Sequence, residues 1–483
     1  MSIETLNYIG GKWVSSASGE TRDACDPSTG DRLGAAQKST VADIEDAVSA
    51  ARQAFDNESW SFAPSVQRAK VLTVISQRLQ DNQEYLAQLI TRQNGRPIKA
   101  TRGEISRCIE ITEYYTAQAR TLSGRINQSD PNVASLIVRE PVGVCGLITP
   151  WNFPLDLAMR KIAPALATGC TIVLKPACLT AIVSMEFIKL FDDVPGLPQG
   201  VVNAVSGTGS ILGNALVQSP QVDKISFTGS TDTAKAILTT AADTMKRVSL
   251  EAGGKSPNII FADAPMEAAL SNAITGAFAN SGQSCTAKSR LLVQESIQAD
   301  FVTELVKRTG QLRVGLGLKE DVDLGPIASK TQLETVMSFI QAGLEEGGEK
   351  VVGGQRLMDG EYKRGFFVEP TIFQYVTNEM QLGKHEIFGP VLSVMPFTDE
   401  PEAIALANET HYGLSSAIFT NDVKRAFRVA QRLRAGEVTV NSQKIRLAEA
   451  PFGGYKQSGL GRELGVEGLE AYQEIKHIAF DLA

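Results

Sequence analysis

Histidine is the scarcest chemistry-bearing residue in this chain: His385, His411 and His477 are the only three, and no two stand at metal-ligand spacing. A histidine-built metal site is therefore not expected, no metal is assigned, and acid–base chemistry falls to carboxylates. Cysteine is nearly as sparse. Cys25, Cys108, Cys145, Cys170, Cys178 and Cys285 are scattered without paired spacing, which fits reduced thiols rather than a disulfide framework or a zinc knuckle. No apolar run approaches the roughly 18 residues of a membrane span, and Met1-Ser-Ile-Glu-Thr-Leu-Asn7 has neither a basic start nor an apolar stretch. No membrane partner is expected, and the cytoplasm is the default compartment. Positive charge is not in excess either: the formal net charge is −7, which sets nucleic acid aside as a partner.

What remains is an ordinary globular composition, 43% hydrophobic and 21% charged, in 483 residues, with no internal repeat and no low-complexity linker. That length suits roughly two to four domains. From about residue 141, short β-branched runs alternate with helical stretches, the mark of parallel strands joined by crossover helices. Val142 to Ile148, Thr171 to Leu174, Val201 to Val205, Lys224 to Phe227 and Val248 to Glu251 read as strands. A helix from Pro154 to Ala167 is entered through proline and left at Gly169, and helices at about 209–217 and 231–243 follow. The sum is a doubly wound sheet. The stretch before it, about 41–118, is mostly helical by its apolar spacing, with faces at 42–51, 65–91 and 104–118. Past residue 255 helices at about 265–281, 297–312, 330–346, 401–408 and 422–433 separate strands such as Ser289 to Val293 and Ser415 to Phe419, so a second α/β lobe is expected. Two segments fall outside the rhythm, about 119–141 and Ile475 to Phe480. Their short alternating runs predict antiparallel strands whose open edges invite another subunit.

Cys285 lies among small and polar residues, Ala279-Asn-Ser-Gly-Gln-Ser-Cys285-Thr-Ala-Lys288, without the bulky apolar packing that makes a thiol inert. It reads either as a buried structural cysteine or as a nucleophile, and a nucleophile needs an open polar pocket and a nearby base. Glu251 is the candidate base. Asn152, between Trp151 and Phe153 at a strand end, is either a helix cap or a rigid donor aimed at a developing oxyanion. Gly207-Thr-Gly-Ser-Ile-Leu-Gly213 is one residue too long for the dinucleotide fingerprint. Phe227-Thr-Gly-Ser-Thr231 is either an ordinary strand-to-helix turn or a pyrophosphate site at a helix start.

Trp151-Asn-Phe-Pro154, Lys175-Pro-Ala177, Phe227-Thr-Gly-Ser-Thr231, Glu251-Ala-Gly-Gly-Lys255, Gly282-Gln-Ser-Cys285, Glu386-Ile-Phe-Gly-Pro390 and Pro451-Phe-Gly-Gly454 through Lys456 to Glu463 follow one another in the order of the aldehyde dehydrogenase superfamily. The resemblance runs from Gly10-Gly-Lys-Trp13 and Asp26 to Gly30 as far as Tyr472 and Lys476. It implies two doubly wound α/β lobes with a small β oligomerisation arm. Residues 1–118 and 142–252 would form the NAD(P)-binding domain, 253–454 the catalytic domain, and 119–141 with 468–483 the arm of a homodimer or homotetramer.

By the same resemblance, Cys285 attacks an aldehyde to give a thiohemiacetal and then a thioester. Asn152 and the Cys285 N–H form the oxyanion hole, and Glu251 is the general base. Thr149, Trp151, Lys175, Cys178, Gly207, Gly229, Ser230, Glu386 and Phe388 fall at cofactor-contacting positions; Phe153, Leu157, Arg160, Ser284, Thr286, Arg446 and Phe452 fall near the aldehyde tunnel. Glu251 favours hydrolysis to a free acid over transfer to coenzyme A, and the cofactor motifs would be surplus to a non-redox thiol esterase.

Three positions depart from the family pattern. Many NAD-preferring members carry glutamate where this chain has Cys178, so NADP is expected to be accepted beside NAD, or preferred. Ala234 replaces a glycine and Ala252 a leucine, small changes in the cofactor cleft. Arg160 resembles the arginine that holds a carboxylate in semialdehyde dehydrogenases, yet the second arginine of the succinate-semialdehyde type is replaced by Ala279. A carboxylate anchor and a structural arginine both remain open for Arg160.

Overall fold

The β-branched runs between residues 144 and 251 pair with one another, as their burial on both faces requires. In the computed structural model, which describes residues 2–128, 130–442 and 447–483, five parallel strands occupy the centre of an eight-stranded sheet. Across the sheet they run Arg247–Glu251, Lys224–Thr228, Val144–Thr149, Thr171–Pro176 and Val202–Ala204. Every residue of Val144–Thr149, Thr171–Pro176 and Lys224–Thr228 is buried, the pattern of a parallel sheet covered by helices on both faces. The connections leave Val144–Thr149 to one side and then cross to the other. Such a reversal opens a crevice outside the carboxyl ends of Val144–Thr149 and Lys224–Thr228.

Helix Pro154–Thr168 bridges the first crossover and is buried along its whole length, begun by Pro154 and ended by Gly169 in the left-handed region at φ 100°. The second lobe is a seven-stranded sheet in the order Glu349–Val352, Thr371–Gln374, Val391–Phe397, Arg290–Gln294, Pro257–Ile260, Ser415–Phe419, Glu437–Val440. All its pairings are parallel except that of Glu349–Val352. A separate three-stranded antiparallel sheet joins Gln473–Asp481, Val133–Pro141 and Arg125–Asn127, with Gln473 opposite Pro141 and Asp481 opposite Val133.

The structure departs from the sequence reading at the periphery. Strands Ile3–Glu4, Thr21–Cys25 and Arg32–Gln37 form a small sheet, and the hairpin Asn7–Ile9/Lys12–Val14 extends the first lobe beyond Val202–Ala204. These strands are short, and Thr21–Cys25 is largely exposed and polar, so no apolar alternation announces it. The apolar face at 65–91 is divided between Ser65–Asp81 and Gln83–Asn94, and the next helix runs Ile98–Arg120, past the expected start of the arm at 119. The helix expected at 209–217 opens with a wide π-turn, Gly209–Gly213, before Asn214–Gln218. Beyond residue 454 the chain returns to the first lobe, where Gly459–Leu460 pairs antiparallel with Arg247–Glu251. No helix of the described residues is long and apolar enough to cross a membrane.

Candidate active site

Three consecutive left-handed residues, Asn280 (φ 55°), Ser281 (φ 51°) and Gly282 (φ 70°), turn the chain after helix Met266–Phe278. A serine held there costs on the order of 1–3 kcal/mol, so surrounding contacts must enforce the turn. Gln283 supplies them. Its side chain donates to the carbonyls of Asn280 at 3.1 Å and Pro326 at 3.4 Å, and accepts from the Ala328 N–H at 2.9 Å. Gly282 is obligatory, because a Cβ there would run into the Gly389 carbonyl. The turn delivers Cys285 to a partly exposed position, whereas Cys108, Cys145 and Cys170 are buried. Exposure is what a reactive thiol needs and a structural one lacks. Behind Cys285, a Cβ on Gly254 would strike its carbonyl, so the segment following Glu251 packs directly against the Cys285 backbone.

Asn152 reaches the same turn from the first lobe. It is 3% exposed, and its carboxamide donates to the Gln283 carbonyl at 3.1 Å. The helix-cap reading of Asn152 is overturned: the cap position of Pro154–Thr168 is Phe153, which has no side-chain capping bond. Glu104, from helix Ile98–Arg120, caps the helix instead, accepting from the N–H groups of Leu155 at 2.9 Å and Asp156 at 3.1 Å.

Glu251 ends strand Arg247–Glu251, level with Thr228 on the neighbouring strand, and its carbonyl accepts from Gly229 N–H at 3.0 Å. Neither carboxylate oxygen has a hydrogen-bond partner, although both are buried. Burial, reinforced by the neighbouring Glu463, pushes its carboxyl well above the usual carboxylate range. Glu463 itself is ion-paired with Lys161, a fully buried ammonium that also donates to the Thr228 hydroxyl at 2.7 Å. Sequence reasoning missed this pair, since its partners lie 302 positions apart.

The residues assigned to a cofactor gather along the crevice. Lys175 is buried, its ammonium lies against Gly209, and burial lowers its pKa. The Cys178 thiol donates to the Gly207 carbonyl at 2.8 Å. Ser230 accepts from the Thr233 N–H at 3.3 Å and so caps helix Thr231–Ala241, and the Thr149 hydroxyl is buried without a partner. Trp151 meets Phe388 edge-on at 5.3 Å. Phe388 is left-handed (φ 56°), and Gln332 holds the carbonyls of Ile387 and Phe388 at 3.1 and 3.0 Å. Glu386 accepts from Gly254 N–H at 3.1 Å, and burial raises its pKa to about 7. Lys255 is wholly buried with no partner for its ammonium, and burial, helped by Arg290, lowers its pKa to about 7. These orphaned polar groups and the helix start at Ser230 suit a phosphate- and hydroxyl-rich ligand.

On the aldehyde side, Arg160 is not a free arginine at a mouth. It is 4% exposed, pairs with Asp156 at 2.6 Å, and lies over the Phe452 ring at 4.9 Å. Burial opposes its charge, but Asp156 and Glu463 outweigh it and keep the guanidinium protonated. Its Nε has no partner. Arg96 covers Phe153 in the same way at 4.2 Å. Leu157 is buried, and the hydroxyls of Ser284 and Thr286 share a hydrogen bond at 3.1 Å. Arg446 lies outside the described residues.

The sequence matches the aldehyde dehydrogenase family over residues 13–478. It is 41% identical over 472 residues to betaine aldehyde dehydrogenase from Bacillus subtilis, covering 98% of this chain and 96% of that one. It is 40% identical over 478 residues to the peroxisomal aminoaldehyde dehydrogenase 1 of Pisum sativum, covering 98% and 94%. Among solved structures, betaine aldehyde dehydrogenase from Staphylococcus aureus in complex with NAD+ superposes with a TM-score of 0.97 at 39% identity, covering 99% of this chain and 95% of that one. An NAD-dependent aldehyde dehydrogenase from Sinorhizobium meliloti gives 0.98 at 38% identity, covering 100% and 95%. This chain belongs to the aldehyde dehydrogenase family.

Proposed function

We propose that this chain oxidises an aldehyde to a free carboxylic acid with NAD(P), using Cys285 as nucleophile, Asn152 as oxyanion donor and Glu251 as general base. The observation that carries the reading is Glu251: a buried carboxylate without a hydrogen bond is a proton acceptor held in reserve. Its raised pKa brings the base toward the operating pH. Glu251 takes the Cys285 proton as sulfur attacks the carbonyl carbon. The oxygen then carries the charge of a thiohemiacetal, against which the Asn152 Nδ2 and the Cys285 N–H donate. A nicotinamide bound in the crevice would supply the hydride acceptor for that carbon. Glu251, having released the thiol's proton to solvent, next deprotonates the water that cleaves the Cys285 thioester and returns that proton to the departing thiolate, releasing acid and thiol. Lys175, Ser230, Glu386 and Phe388 would hold the nucleotide. In the related Staphylococcus aureus enzyme a cysteine carries a BME modification, which supports a reactive thiol.

Residues 1–118 and 142–252 form the nucleotide-binding domain, which also lends Asn152 and Glu251 to the chemistry, and 253–454 form the catalytic domain that carries Cys285. The exposed Ile126, Ile475 and Phe480 of the small sheet support its role as an arm between subunits. Removal of residues 473–483 is expected to convert the oligomer to monomers or aggregates; an unchanged sedimentation coefficient contradicts this.

For nucleotide choice, Cys178 supplies neither a ribose contact by carboxylate nor repulsion of a 2′-phosphate, and the Lys175 ammonium is left to pair with that phosphate. NADP is accepted beside NAD. For the aldehyde's tail, the names of the relatives point to cations. Here a guanidinium already lies over one face of Phe153 and of Phe452, a place a quaternary ammonium could otherwise take. The partnerless Nε of Arg160 supports a carboxylate-bearing aldehyde. An aldehyde panel assayed with both nucleotides tests the proposal. Reduction of nucleotide with stoichiometric acid, independent of coenzyme A, is expected; a requirement for coenzyme A, or ester cleavage without nucleotide reduction, contradicts it.

A further inference from the structure

An oxyanion donor is only as good as its orientation, and the groups that orient Asn152 lie outside the reacting set. The Asn152 main-chain carbonyl accepts from the Arg96 guanidinium at 3.4 Å and from the Asn280 carboxamide at 3.3 Å, fixing the backbone from which the Asn152 side chain reaches the Gln283 carbonyl. The Arg96 guanidinium also stacks on Phe153, the next residue, at 4.2 Å. It is ion-paired with Glu104, whose other oxygen takes the N–H groups of Leu155 and Asp156. One ion pair therefore touches residues 152, 153, 155 and 156, while Pro154 between them has no N–H to offer. Both partners are buried, with side chains 4% and 0% exposed. A buried ion pair brings little net stability over apolar residues of the same volume, so stability is a poor reason for this one.

We infer that the Arg96–Glu104 pair is the positioning element of the Asn152 carboxamide, setting the rate of attack on the aldehyde without touching substrate or nucleotide. The inference rests on the reading of Asn152 as oxyanion donor. A displacement of about 1 Å at such a donor costs on the order of 10²-fold in rate.

A double-mutant cycle isolates the effect. Single-turnover nucleotide reduction is measured for the wild type, Arg96→Lys, Asn152→Ala and the combined variant. Lysine keeps the charge but loses the planar guanidinium that lies over the Phe153 ring while its Nη1 bonds both Glu104 and the Asn152 main-chain carbonyl. Arg96→Lys is expected to slow reduction by roughly 10- to 100-fold with nucleotide affinity unchanged. In the Asn152→Ala background it should cost less than about twofold. If Arg96→Lys does not fold, the paired variant Arg96→Met/Glu104→Gln removes both charges together and enters the same cycle. Undiminished effects in the Asn152→Ala background, or a rate within about twofold of wild type, overturn the inference. Should Asn152→Ala itself react at nearly the wild-type rate, the oxyanion reading falls and this inference with it. A large Asn152→Ala loss with independent Arg96 effects removes the inference alone.

Discussion

The two sides of the Cys285 turn handle buried charge in opposite ways. On the aldehyde side the charges close on one another: Arg96 with Glu104, Arg160 with Asp156, Lys161 with Glu463. Glu251 stands outside those pairs, both its oxygens without a partner. On the nucleotide side the charges stay open: Lys175 lies against a glycine, and Glu386 accepts from a backbone N–H. A closed network fixes geometry before substrate arrives, which is what transition-state stabilisation requires. Open charges are costly until a ligand with its own donors and acceptors fills the crevice. The difference assigns chemistry to one side and binding to the other.

The comparison breaks most sharply at the carboxylates. Glu463→Gln leaves the Lys161 ammonium buried without a counter-charge and is expected to cost about 3–5 kcal/mol of stability. Glu251→Gln removes a carboxylate that has no hydrogen bond to lose, and should be neutral or stabilising. The sign with pH follows from the raised pKa of Glu251. Its contribution is present below the ordinary carboxylate range and lost as pH rises through the raised value, because ionisation in the fold is then resisted. Relative to wild type, Glu251→Gln should therefore gain stability from pH 5 to pH 9. Unfolding midpoints across that range check both variants, and equal losses in the two would erase the distinction between paired and reserve carboxylates.

A smaller effect sharpens the closed side. If the Arg160 Nε receives a substrate carboxylate, Arg160→Ala should raise KM for carboxylate-bearing aldehydes by the worth of a charged hydrogen bond, about 1.5–3 kcal/mol, and neutral aldehydes far less. Steady-state kinetics on matched aldehydes decide it; equal increases return Arg160 to its pairing with Asp156. The smallest change concerns the open side. Cys178→Glu should shift the ratio of kcat/KM values toward NAD by on the order of 1–3 kcal/mol. A wild-type enzyme that rejects NADP outright means that another part of the crevice wall excludes the phosphate.

The open side was the more legible one. Strands with every residue buried, a proline-started and glycine-ended helix, and Thr-Gly-Ser at a helix start are local signals, and all stand where local chemistry puts them. So does Cys285, whose small polar neighbours leave it partly exposed. The closed side is written across distance. Lys161 and Glu463 are adjacent only after the chain returns to the first lobe, and no spacing rule connects them. Two clues were readable: Glu104 sits on the apolar face that Thr101, Ile105 and Cys108 bury, and Asp156 precedes Arg160 by one helical turn. The N-terminal strands left no signal because they are short and in part exposed.

The division of labour rests on covalent chemistry at Cys285 with Glu251 in reserve. The direct test mixes Glu251→Gln with nucleotide and aldehyde, follows nucleotide reduction in the first turnover, and weighs the Cys285 peptide by mass spectrometry after acid quench. One equivalent of reduced nucleotide, an acyl adduct on Cys285 that persists, and neither signal in Cys285→Ala are the expected results. Sustained turnover in Glu251→Gln, or reduced nucleotide with no acyl group on Cys285, contradicts the account.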